Sequence, residues 1–375
     1  MSSSIRNVLI TGGAGFIGSH LADALLARGY RVRALDDLTP QVHGEVPRRP
    51  EYLAKEVELV VGDVRNAAVM EQALFGIDAV FHFAAAVGVG QSMYDVEHYT
   101  SVNDVGTAVL LERLIAKPVK RLVVASSMSV YGEGLYRDAM GNVREARGRS
   151  LEQLRRGEWE VKGDDGRPLV PVPTPETKAV SLESIYALSK YDQERMCLLV
   201  GRAYDIPTVA LRFFNVYGTR QALSNPYTGV LAIFAARLLN GSRPLVFEDG
   251  HQQRDFVSVH DVARACCLAL ESDAAAGMVL NIGSGQPRTI LEVAEKMALA
   301  VGRPRLGPEV TGRYRMGDVR HCFADVSLAE RVLGYRPEVR FEQGLEELAR
   351  WLEGQVAIDH FARAREELEA RGLTL

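Results

Sequence analysis

Short apolar runs alternate with segments of helical periodicity along most of the chain. Seven runs have the length of buried strands, and the segments between them repeat their apolar residues every three or four positions. Near-continuous apolar strands that alternate with helices are typical of a parallel sheet covered on both faces. The predicted strands are residues 8–11, 30–35, 58–64, 79–86, 121–126, 208–215 and 278–282.

The first of these runs leads into a glycine-rich turn and then a helix. Gly12, Gly15 and Gly18 separate the strand from a segment of helical spacing at residues 20–29. In this context glycines let the backbone approach a pyrophosphate, and the helix N-terminus directs free N–H groups towards that anion. The turn therefore predicts a dinucleotide site, with a tight turn that binds nothing as the alternative.

An acidic residue ends the second strand. Asp36 follows Gly18 by 18 residues, about where a carboxylate accepts hydrogen bonds from the adenosine ribose. Because this carboxylate would repel a 2′-phosphate, we expect NAD rather than NADP. A strand-end aspartate that caps a turn is the alternative reading.

Tyr186 and Lys190 stand four residues apart on a predicted helix and so share one face. An ammonium beside a phenol favours the phenolate, so we expect Lys190 to lower the tyrosine pKa and produce a general base. Such pairs also occur on solvated helices. The glycine turn and the strand end at Ser126-Ser127 favour the chemical interpretation.

Composition narrows the possible partners. The chain has 375 residues, which suggests two domains, and its net charge is −4, from 44 Lys+Arg and 48 Asp+Glu. This balance gives no electrostatic case for nucleic acid or an anionic membrane. The apolar runs are too short to cross a bilayer, and the first strand starts too early to leave room for a signal peptide. The four cysteines show no metal-ligand spacing, so we expect reduced thiols, a cytoplasmic protein and no metal.

Regular patterning stops between about residues 133 and 172. This insertion is rich in Gly, Arg, Glu and Asp, and its bulky apolar anchors are expected to be Leu151, Leu154 and Trp159. A long loop of this kind is usually functional or mobile, so a lid or edge subdomain is expected, with a solvated loop as the alternative. The last twenty residues, with Phe361 and Leu368 at helical spacing, predict a surface helix.

Taken together, the motifs resemble those of extended short-chain dehydrogenase/reductases that act on nucleotide sugars. The matching segments are residues 12–18, 63–64, 82–85, 126–132, 186–190, 212–215 and 254–256. The resemblance implies an α/β fold: a Rossmann-type doubly wound parallel sheet with a smaller mixed α/β C-terminal substrate domain. It implies a cofactor domain at 1–216, to which the chain returns at about 255–283, and a nucleotide-sugar domain at 217–254 and 284–375.

The resemblance also implies roles for individual residues. The catalytic residues would be Tyr186, Lys190 and Ser127. The NAD contacts would be Gly12, Gly15, Phe16, Ile17, Gly18, Asp36, Asp63, Val64, Phe83, Ala84, Ala85, Tyr186, Lys190 and Phe213. The substrate contacts would be Ser127, Met128, Asn215, Arg254, Arg315, Phe247 and Gln91. Surface salt bridges for the arginines and a core position for Phe247 are the alternatives.

Within this family, the residues after Ser127 bear on the reaction. By resemblance, 4,6-dehydratases carry an Asp-Glu pair and decarboxylases a Glu where this chain has Met128 and Ser129. Epimerisation at C4 of a nucleotide-diphosphate hexose is therefore expected, through a transient 4-keto sugar. Residues 87–94 and 221–230 resemble a bacterial group that includes dTDP-L-rhamnose 4-epimerases. UDP-glucose/galactose or UDP-glucuronate epimerisation is the runner-up; a 4-ketoreductase and a non-catalytic dinucleotide-binding scaffold are more distant.

Relatives commonly form homodimers through the helices that begin near Asn103 and Tyr186. The apolar residues available for that contact, or alternatively for packing on the chain's own sheet, are Leu110, Leu111, Leu114, Met196 and Leu199.

Overall fold

The first third of the chain alternates strands and helices as the apolar pattern predicts. The computed structural model describes residues 5–146, 148–315, 317–355 and 361–374, with side chains of 361–365 excluded. Its first elements are β1 (Asn7–Thr11), α1 (Phe16–Ala27), β2 (Arg31–Asp36), α2 (Pro40–His43), β3 (Glu58–Val61), α3 (Ala67–Leu74), β4 (Ala79–His82), α4 (Val89–Ser92), α5 (Val96–Thr100), a π-helical turn (Ser101–Val105), α6 (Gly106–Ala116), β5 (Arg121–Ser127) and a 3₁₀ turn (Met128–Tyr131).

The insertion and the rest of the chain add a second set of elements. The insertion contains β6 (Leu135–Arg137), β7 (Val143–Glu145), α7 (Leu151–Arg155) and β8 (Val170–Val172). After it come α8 (Ile185–Ala203), β9 (Thr208–Phe213), β10 (Asn215–Tyr217), α9 (Val230–Leu239), β11 (Leu245–Val246), β12 (Gln253–Ser258), α10 (Val259–Glu271), a 3₁₀ turn (Asp273–Ala275), β13 (Val279–Ile282), β14 (Pro287–Thr289), α11 (Ile290–Ala300), β15 (Glu309–Val310), β16 (His321–Cys322), α12 (Ser327–Leu333), α13 (Phe341–Leu352) and α14 (Phe361–Ala370).

One parallel sheet organises the described residues. Its strand order is β13-β9-β5-β4-β1-β2-β3, and every neighbouring pair runs parallel. Strands are added outwards in both directions from the β1–β4 pair, and in such doubly wound sheets ligands bind beyond the carboxyl ends at that switch point. A separate mixed sheet contains β10, β12, β14 and β16. Together with the doubly wound parallel sheet, it confirms the predicted fold class. The domain boundaries stay a prediction.

The strands are apolar because both faces of the sheet are covered. All seven residues of β5 are buried. One face packs on α1 and α10, and the other on α3, α6 and α8. A further core holds α9, α11 and α13 together. Leu110, Leu111 and Leu114 lie in the protomer's own core, whereas Leu199 is 46% exposed, so the three α6 leucines face their own sheet.

Several predicted boundaries were too long at the carboxyl edge of the sheet. The fourth strand ends at His82 rather than at residue 86, because the chain then turns against the glycine turn: a Cβ on Gly12 would lie 2.9 Å from the Ala84 nitrogen. The third strand ends at Val61, and the sixth ends at Phe213. The helix predicted from Asn103 begins earlier, at Val96, and passes through the π-helical turn.

The insertion is more ordered than its sequence predicts. Its strands form a small antiparallel sheet in the order β7-β6-β8, and its core is Tyr136, Val161 and Leu169. Leu154 is buried as expected. The prediction for Leu151 is wrong, because this side chain at the start of α7 is 42% exposed.

The chain ends in a helix, as predicted, and that helix contacts the rest of the protein. A Cβ on Gly90 would lie 3.5 Å from Leu368, and Glu367 accepts hydrogen bonds from Tyr94 and Tyr227, each at 3.0 Å. The Phe361 side chain lies outside the described residues.

Candidate active site

A cavity of about 430 Å³ lies beyond the carboxyl ends of the parallel strands, at the switch point. Every residue expected to contact the cofactor lines it: Gly12, Gly15, Phe16, Ile17, Gly18, Asp36, Asp63, Val64, Phe83, Ala84, Ala85, Tyr186, Lys190 and Phe213. Ser127 and Asn215 line it as well. The fold therefore brings residues from positions 12–127 and 186–215 to one place.

The three glycines of the turn have different tasks. Gly12 has a φ of +70°, and a Cβ on Gly18 would lie 2.3 Å from the Gly12 carbonyl oxygen, so the fold itself requires both. A Cβ on Gly15 would meet only that same oxygen, at 3.3 Å. Gly15 is the N-cap of α1, and no side chain caps the helix. The first turn of α1 is thus open to an anion in the cavity.

Asp36 closes the other side of the turn. Its carboxylate accepts hydrogen bonds from the Ala14 and Leu38 backbone N–H groups at 2.9 and 3.0 Å, and His43 Nε2 lies 3.5 Å away. Each carboxylate oxygen has a further lone pair for a ribose hydroxyl. An open helix N-terminus, a cradle that the middle glycine keeps clear and an acid at the end of β2 fit an adenine dinucleotide that has no 2′-phosphate.

Tyr186 and Ser127 meet at the centre of the cavity. Ser127 ends β5 and Tyr186 lies in the first turn of α8, and a hydrogen-bonding interaction with Ser127 acts to lower the pKa of Tyr186. The Ser127 oxygen also accepts the Ser129 backbone N–H at 3.1 Å, which caps the 3₁₀ turn. The pair can therefore exchange a proton with a hydroxyl group placed between them.

The expected effect of Lys190 on the tyrosine is wrong for this arrangement. Burial raises the pKa of Tyr186, and its hydrogen bond with Ser127 offsets only part of that rise. The Lys190 ammonium instead donates to Gln193 Oε1 at 2.5 Å, and burial lowers the lysine pKa to about 8. Spacing placed both groups on one face but could not show where the lysine terminus points.

A buried hydrogen-bonded chain holds Lys190 in place. Gln193 donates to Thr107 Oγ1 at 2.9 Å, and His82 lies 2.8 Å from both Thr107 and Thr11. Burial lowers the pKa of His82 to about 3, so this imidazole is neutral. Sequence analysis missed Gln193 and Thr107. Their signal was a polar residue on the buried face of each helix.

The cavity has carboxylates at one end only. Among its described lining residues the acids are Asp36, Asp37 and Asp63, at the ends of β2 and β3. None of these lies next to Ser127 in the chain. Met128 is buried in an apolar cluster with Tyr131 and Phe214 rather than lining the cavity. The neighbourhood of the Ser127–Tyr186 pair therefore offers hydroxyl groups.

Beyond Tyr186 the cavity continues along a loop that sequence analysis did not assign to the site. Gln221, Asn225, Tyr227 and Gly229, between β10 and α9, line this part. The buried side-chain oxygens of Asn215 and Gln221 have no partner within the described part of the chain. The 221–230 motif, noted as similar to a bacterial group, was the available signal. These two acceptors beside the cavity are therefore left without a donor in the described chain.

Besides Met128, four expected substrate residues lie outside the cavity lining: Gln91, Phe247, Arg254 and Arg315. Gln91 accepts hydrogen bonds from Gln41 and Tyr99 at 3.1 and 3.3 Å. The Arg315 guanidinium lies 4.7 Å from the centre of the Phe247 ring. Arg254 lies two residues before Phe256, a lining residue on the same strand, and so faces the same side of β12 at about 7 Å.

Arg254 and Arg315 belong to a dense group of charges that we call the arginine cluster. Asp318 accepts hydrogen bonds from Arg315 at 2.9 Å and from Arg254 at 3.2 Å, and the two arginines hold the pKa of this carboxyl below its usual value. The cluster consists of Arg149, Arg254, Arg315 and Arg320 with Glu133, Glu160, Glu248, Asp249 and Asp318.

No helix in the described parts of the chain has both the length and the apolar composition that a membrane span needs. The four cysteines, at positions 197, 266, 267 and 322, are buried free thiols.

Comparisons with known proteins agree with this geometry. The family model described as "NAD dependent epimerase/dehydratase family" matches residues 8–148 and 160–283. A dTDP-L-rhamnose 4-epimerase from Burkholderia thailandensis is 36% identical over 352 residues, covering 92% of this chain and 95% of that protein. A UDP-glucose 4-epimerase from Thermotoga maritima, solved with UDP-glucose, is 31% identical with a TM-score of 0.75, covering 93% of this chain and 99% of that one. The enzyme of the same name from Thermus thermophilus, solved with NAD, is 32% identical with a TM-score of 0.74, covering 94% and 100%.

Proposed function

Because the chain belongs to the NAD dependent epimerase/dehydratase family, we propose that it inverts the configuration at C4 of a hexose carried on a nucleoside diphosphate. It is an isomerase, and the predicted cofactor, NAD, is confirmed. The glycine turn, the α1 N-terminus and Asp36 would hold the adenosine diphosphate part, and Lys190 the ribose next to the nicotinamide.

The observation that supports epimerisation most directly is the set of groups around Ser127 and Tyr186. Elimination of water across C5 and C6 needs an acid and a base beside the sugar. The positions that would carry them hold a buried methionine and a serine, Met128 and Ser129. Reversible oxidation at C4 needs only one proton-transfer group and a hydride acceptor.

In this mechanism the chain moves one proton and holds the sugar. Tyr186 takes the proton of the C4 hydroxyl group, and Ser127 hydrogen-bonds the same oxygen as it becomes a carbonyl. When bound, NAD⁺ supplies a reversible hydride acceptor and a positive charge, which favours the phenolate and offsets the effect of burial on the Tyr186 pKa. Once the 4-keto sugar has rotated in the site and presents its opposite face, Tyr186 returns the proton.

The diphosphate of the substrate would be bound by Asn215, Arg254 and Arg315. The Asn215 amide faces the cavity, and the Arg315 side chain is 43% exposed and stacked on Phe247. A planar guanidinium matches a phosphate with two parallel hydrogen bonds. The Phe247 ring would also suit contact with a pyrimidine base.

For the substrate itself we propose a dTDP-6-deoxyhexose such as dTDP-L-rhamnose. The relative from Burkholderia thailandensis, which carries that name, supports this choice. A UDP-hexose is the second candidate, because the relative from Thermotoga maritima was solved with UDP-glucose at similar identity.

The test is a substrate panel without added cofactor. The purified enzyme is incubated separately with dTDP-L-rhamnose, UDP-glucose and UDP-glucuronate, and the C4 epimers are resolved by NMR. We expect interconversion of the dTDP sugar to a fixed ratio from either side. Oxidation of a sugar with stoichiometric reduction of added NAD(P)⁺, and without formation of the C4 epimer, would identify a 4-ketoreductase that runs in reverse. Failure to convert any of the three sugars would contradict the proposal.

We also propose a cytoplasmic homodimer. Leu188 and Leu199 of α8 and Val105 of the π-helical turn are 41%, 46% and 49% exposed on neighbouring helices, which is where an apolar partner surface would pack. Light scattering should give twice the chain mass, and Leu199→Glu should give the monomer. Four buried free thiols suit a reducing compartment.

A further inference from the structure

The insertion sends one arginine into the arginine cluster. The Arg149 side chain is only 4% exposed. Its guanidinium donates to Glu248 Oε1 at 2.8 Å, to the Asp318 carbonyl oxygen at 3.1 Å and to the Trp159 carbonyl oxygen at 3.2 Å. The insertion is thereby tied to the backbone of Asp318.

Asp318 contacts both proposed diphosphate-binding arginines, and Arg254 also donates to the carbonyl oxygens of Val319 and Arg320, which follow Asp318 in the chain. Its carboxylate accepts from Arg315 and Arg254 at once. A shift of residues 318–320 would therefore be passed on to both guanidinium groups. Because Arg149 grips that backbone from the insertion side, its contact reaches the phosphate-binding groups through a single residue.

A second link runs through the start of the insertion. Glu133 accepts the backbone N–H groups of Arg320 and His321 at 2.6 and 3.2 Å. His321 and Cys322 form β16, which pairs in register with Gln253 and Arg254 of β12. The insertion thus supports the strand that carries Arg254 as well as the residue that orients it.

Charge balance shows why the arginine cluster depends on Arg149. Five carboxylates face four guanidinium groups, and Glu248 is only 1% exposed. Burial raises the pKa of Glu248. Loss of Arg149 would enlarge this excess of negative charge beside the buried Glu248 and would draw Arg320 and its neighbours out of place.

Another arginine of the insertion shows the contrast. Arg144 is 59% exposed and pairs at 3.0 Å with Asp138 of the same hairpin. Its charge acts within the insertion and reaches no proposed ligand-binding residue. Arg149 is buried against Asp318, whereas Arg144 is exposed to solvent. Only Arg149 is therefore able to position the ligand-binding arginines.

We propose that Arg149 is a positioning residue that aligns Arg254 and Arg315 for the diphosphate of the nucleotide sugar. This inference rests on the proposed function and gives the insertion a task in substrate binding. The described residues of the insertion do not line the cofactor end of the cavity. Substitution of Arg149 should therefore leave NAD binding unchanged.

The test compares Arg149→Met, Glu248→Gln, the double variant and Arg149→Lys with the control Arg144→Met. The measured quantities are the Kd for dTDP and for UDP by calorimetry, KM and kcat of the epimerisation, bound NAD and Tm. We expect Arg149→Met to weaken nucleotide binding about 10-fold and raise KM similarly, with kcat and bound NAD near wild type. Arg149→Lys should lie between Arg149→Met and wild type, and Arg144→Met should equal wild type.

The double variant separates positioning from stability. It removes the Glu248 charge that Arg149 balances in the wild type, so its Tm should recover while its nucleotide affinity stays low. Wild-type affinity in a double variant of wild-type Tm would overturn the inference alone, and so would a loss confined to kcat or bound NAD. If Arg149→Met does not fold, the double variant and Arg149→Lys decide in the same way. A wild-type enzyme that binds neither dTDP nor UDP would instead overturn the proposed function.

Discussion

The two ends of the site differ in whether their ligand-binding groups are already paired within the protein. At the cofactor end the first turn of α1 has no side-chain cap, and Gly15 keeps the space in front of it clear. In the arginine cluster every arginine already has a carboxylate partner. The cofactor end offers free hydrogen-bonding groups, whereas the substrate end must exchange internal partners for the diphosphate.

This difference predicts tight, lasting binding at one end and reversible binding at the other. Groups that are positioned and unpaired lose little on binding, so the cofactor can stay in place through many cycles. Arginines that already pair with Asp318 gain less from a phosphate, which favours release of the product. An enzyme that keeps NAD and exchanges sugars needs this asymmetry.

The largest effect is expected from removing the proton-transfer group shared by both ends. Tyr186→Phe should lower kcat about 1,000-fold while leaving bound NAD and Tm nearly unchanged, because only the hydroxyl group is lost. Tyr204→Phe is the matched control, since Tyr204 follows the same helix and is 47% exposed. Activity of Tyr186→Phe within a few-fold of wild type would contradict the proton-transfer role.

The glycine turn allows stability and cofactor binding to be separated. Gly18→Ala should destabilise the fold by about 1–3 kcal/mol, because its Cβ would meet the Gly12 carbonyl oxygen at 2.3 Å. Gly15→Ala, with that oxygen at 3.3 Å, should keep Tm but weaken retention of NAD, measured by native mass spectrometry after dialysis. Equal effects of both variants on Tm would show that Gly15 also serves packing.

The two arginines should differ in a similar way. Arg254→Ala should lower Tm as well as substrate affinity, because its buried guanidinium donates to the Gln253 and Arg320 carbonyl oxygens at 2.9 and 3.0 Å. Arg315→Ala should raise KM only about 5-fold with little change in Tm, since its side chain is 43% exposed. Calorimetry with dTDP and thermal melts check both. A large fall in Tm for Arg315→Ala would show that Arg315, like Arg254, also stabilises the fold.

A buried histidine makes stability depend on pH. Burial lowers the pKa of His82 from 6.5 to about 3, so the unfolded chain binds a proton that the folded one rejects. Stability from this group is complete above pH 6.5 and is lost as pH falls towards 3, by roughly 1 kcal/mol per pH unit. Denaturant melts between pH 7 and pH 4 should show this slope. His82→Gln should reduce it, and an unchanged slope would assign it to other groups.

Much of the cofactor end was predictable because its signals are local. The spacing of Gly12, Gly15 and Gly18 between a strand and a helix is a property of a short segment. The alternation of apolar strands with helical segments from β1 to β5 predicted the parallel sheet. The lysine terminus was not predictable, since it depends on Gln193 and on Thr107 of another helix.

The substrate end depends on contacts between segments far apart in the chain. Arg149 and Asp318 are joined across 169 positions, and nothing in the local pattern of the insertion marks one arginine as buried and Arg144 as exposed. Leu151 illustrates the same limit, because an apolar residue in a short helix of the insertion faces solvent. The family resemblance identified Arg254 and Arg315 as substrate contacts, and only the structure identified their hydrogen-bond partners.

The central claim is that C4 of the sugar is oxidised and reduced within one site that Tyr186 serves. It is tested most directly with the substrate deuterated at C4, incubated with the purified enzyme in ordinary water without added cofactor. The account predicts that the epimerised product keeps its deuterium at C4, because the hydrogen removed from that carbon is returned to it. Loss of deuterium to solvent at C4 would show proton abstraction from carbon instead, and would contradict the account.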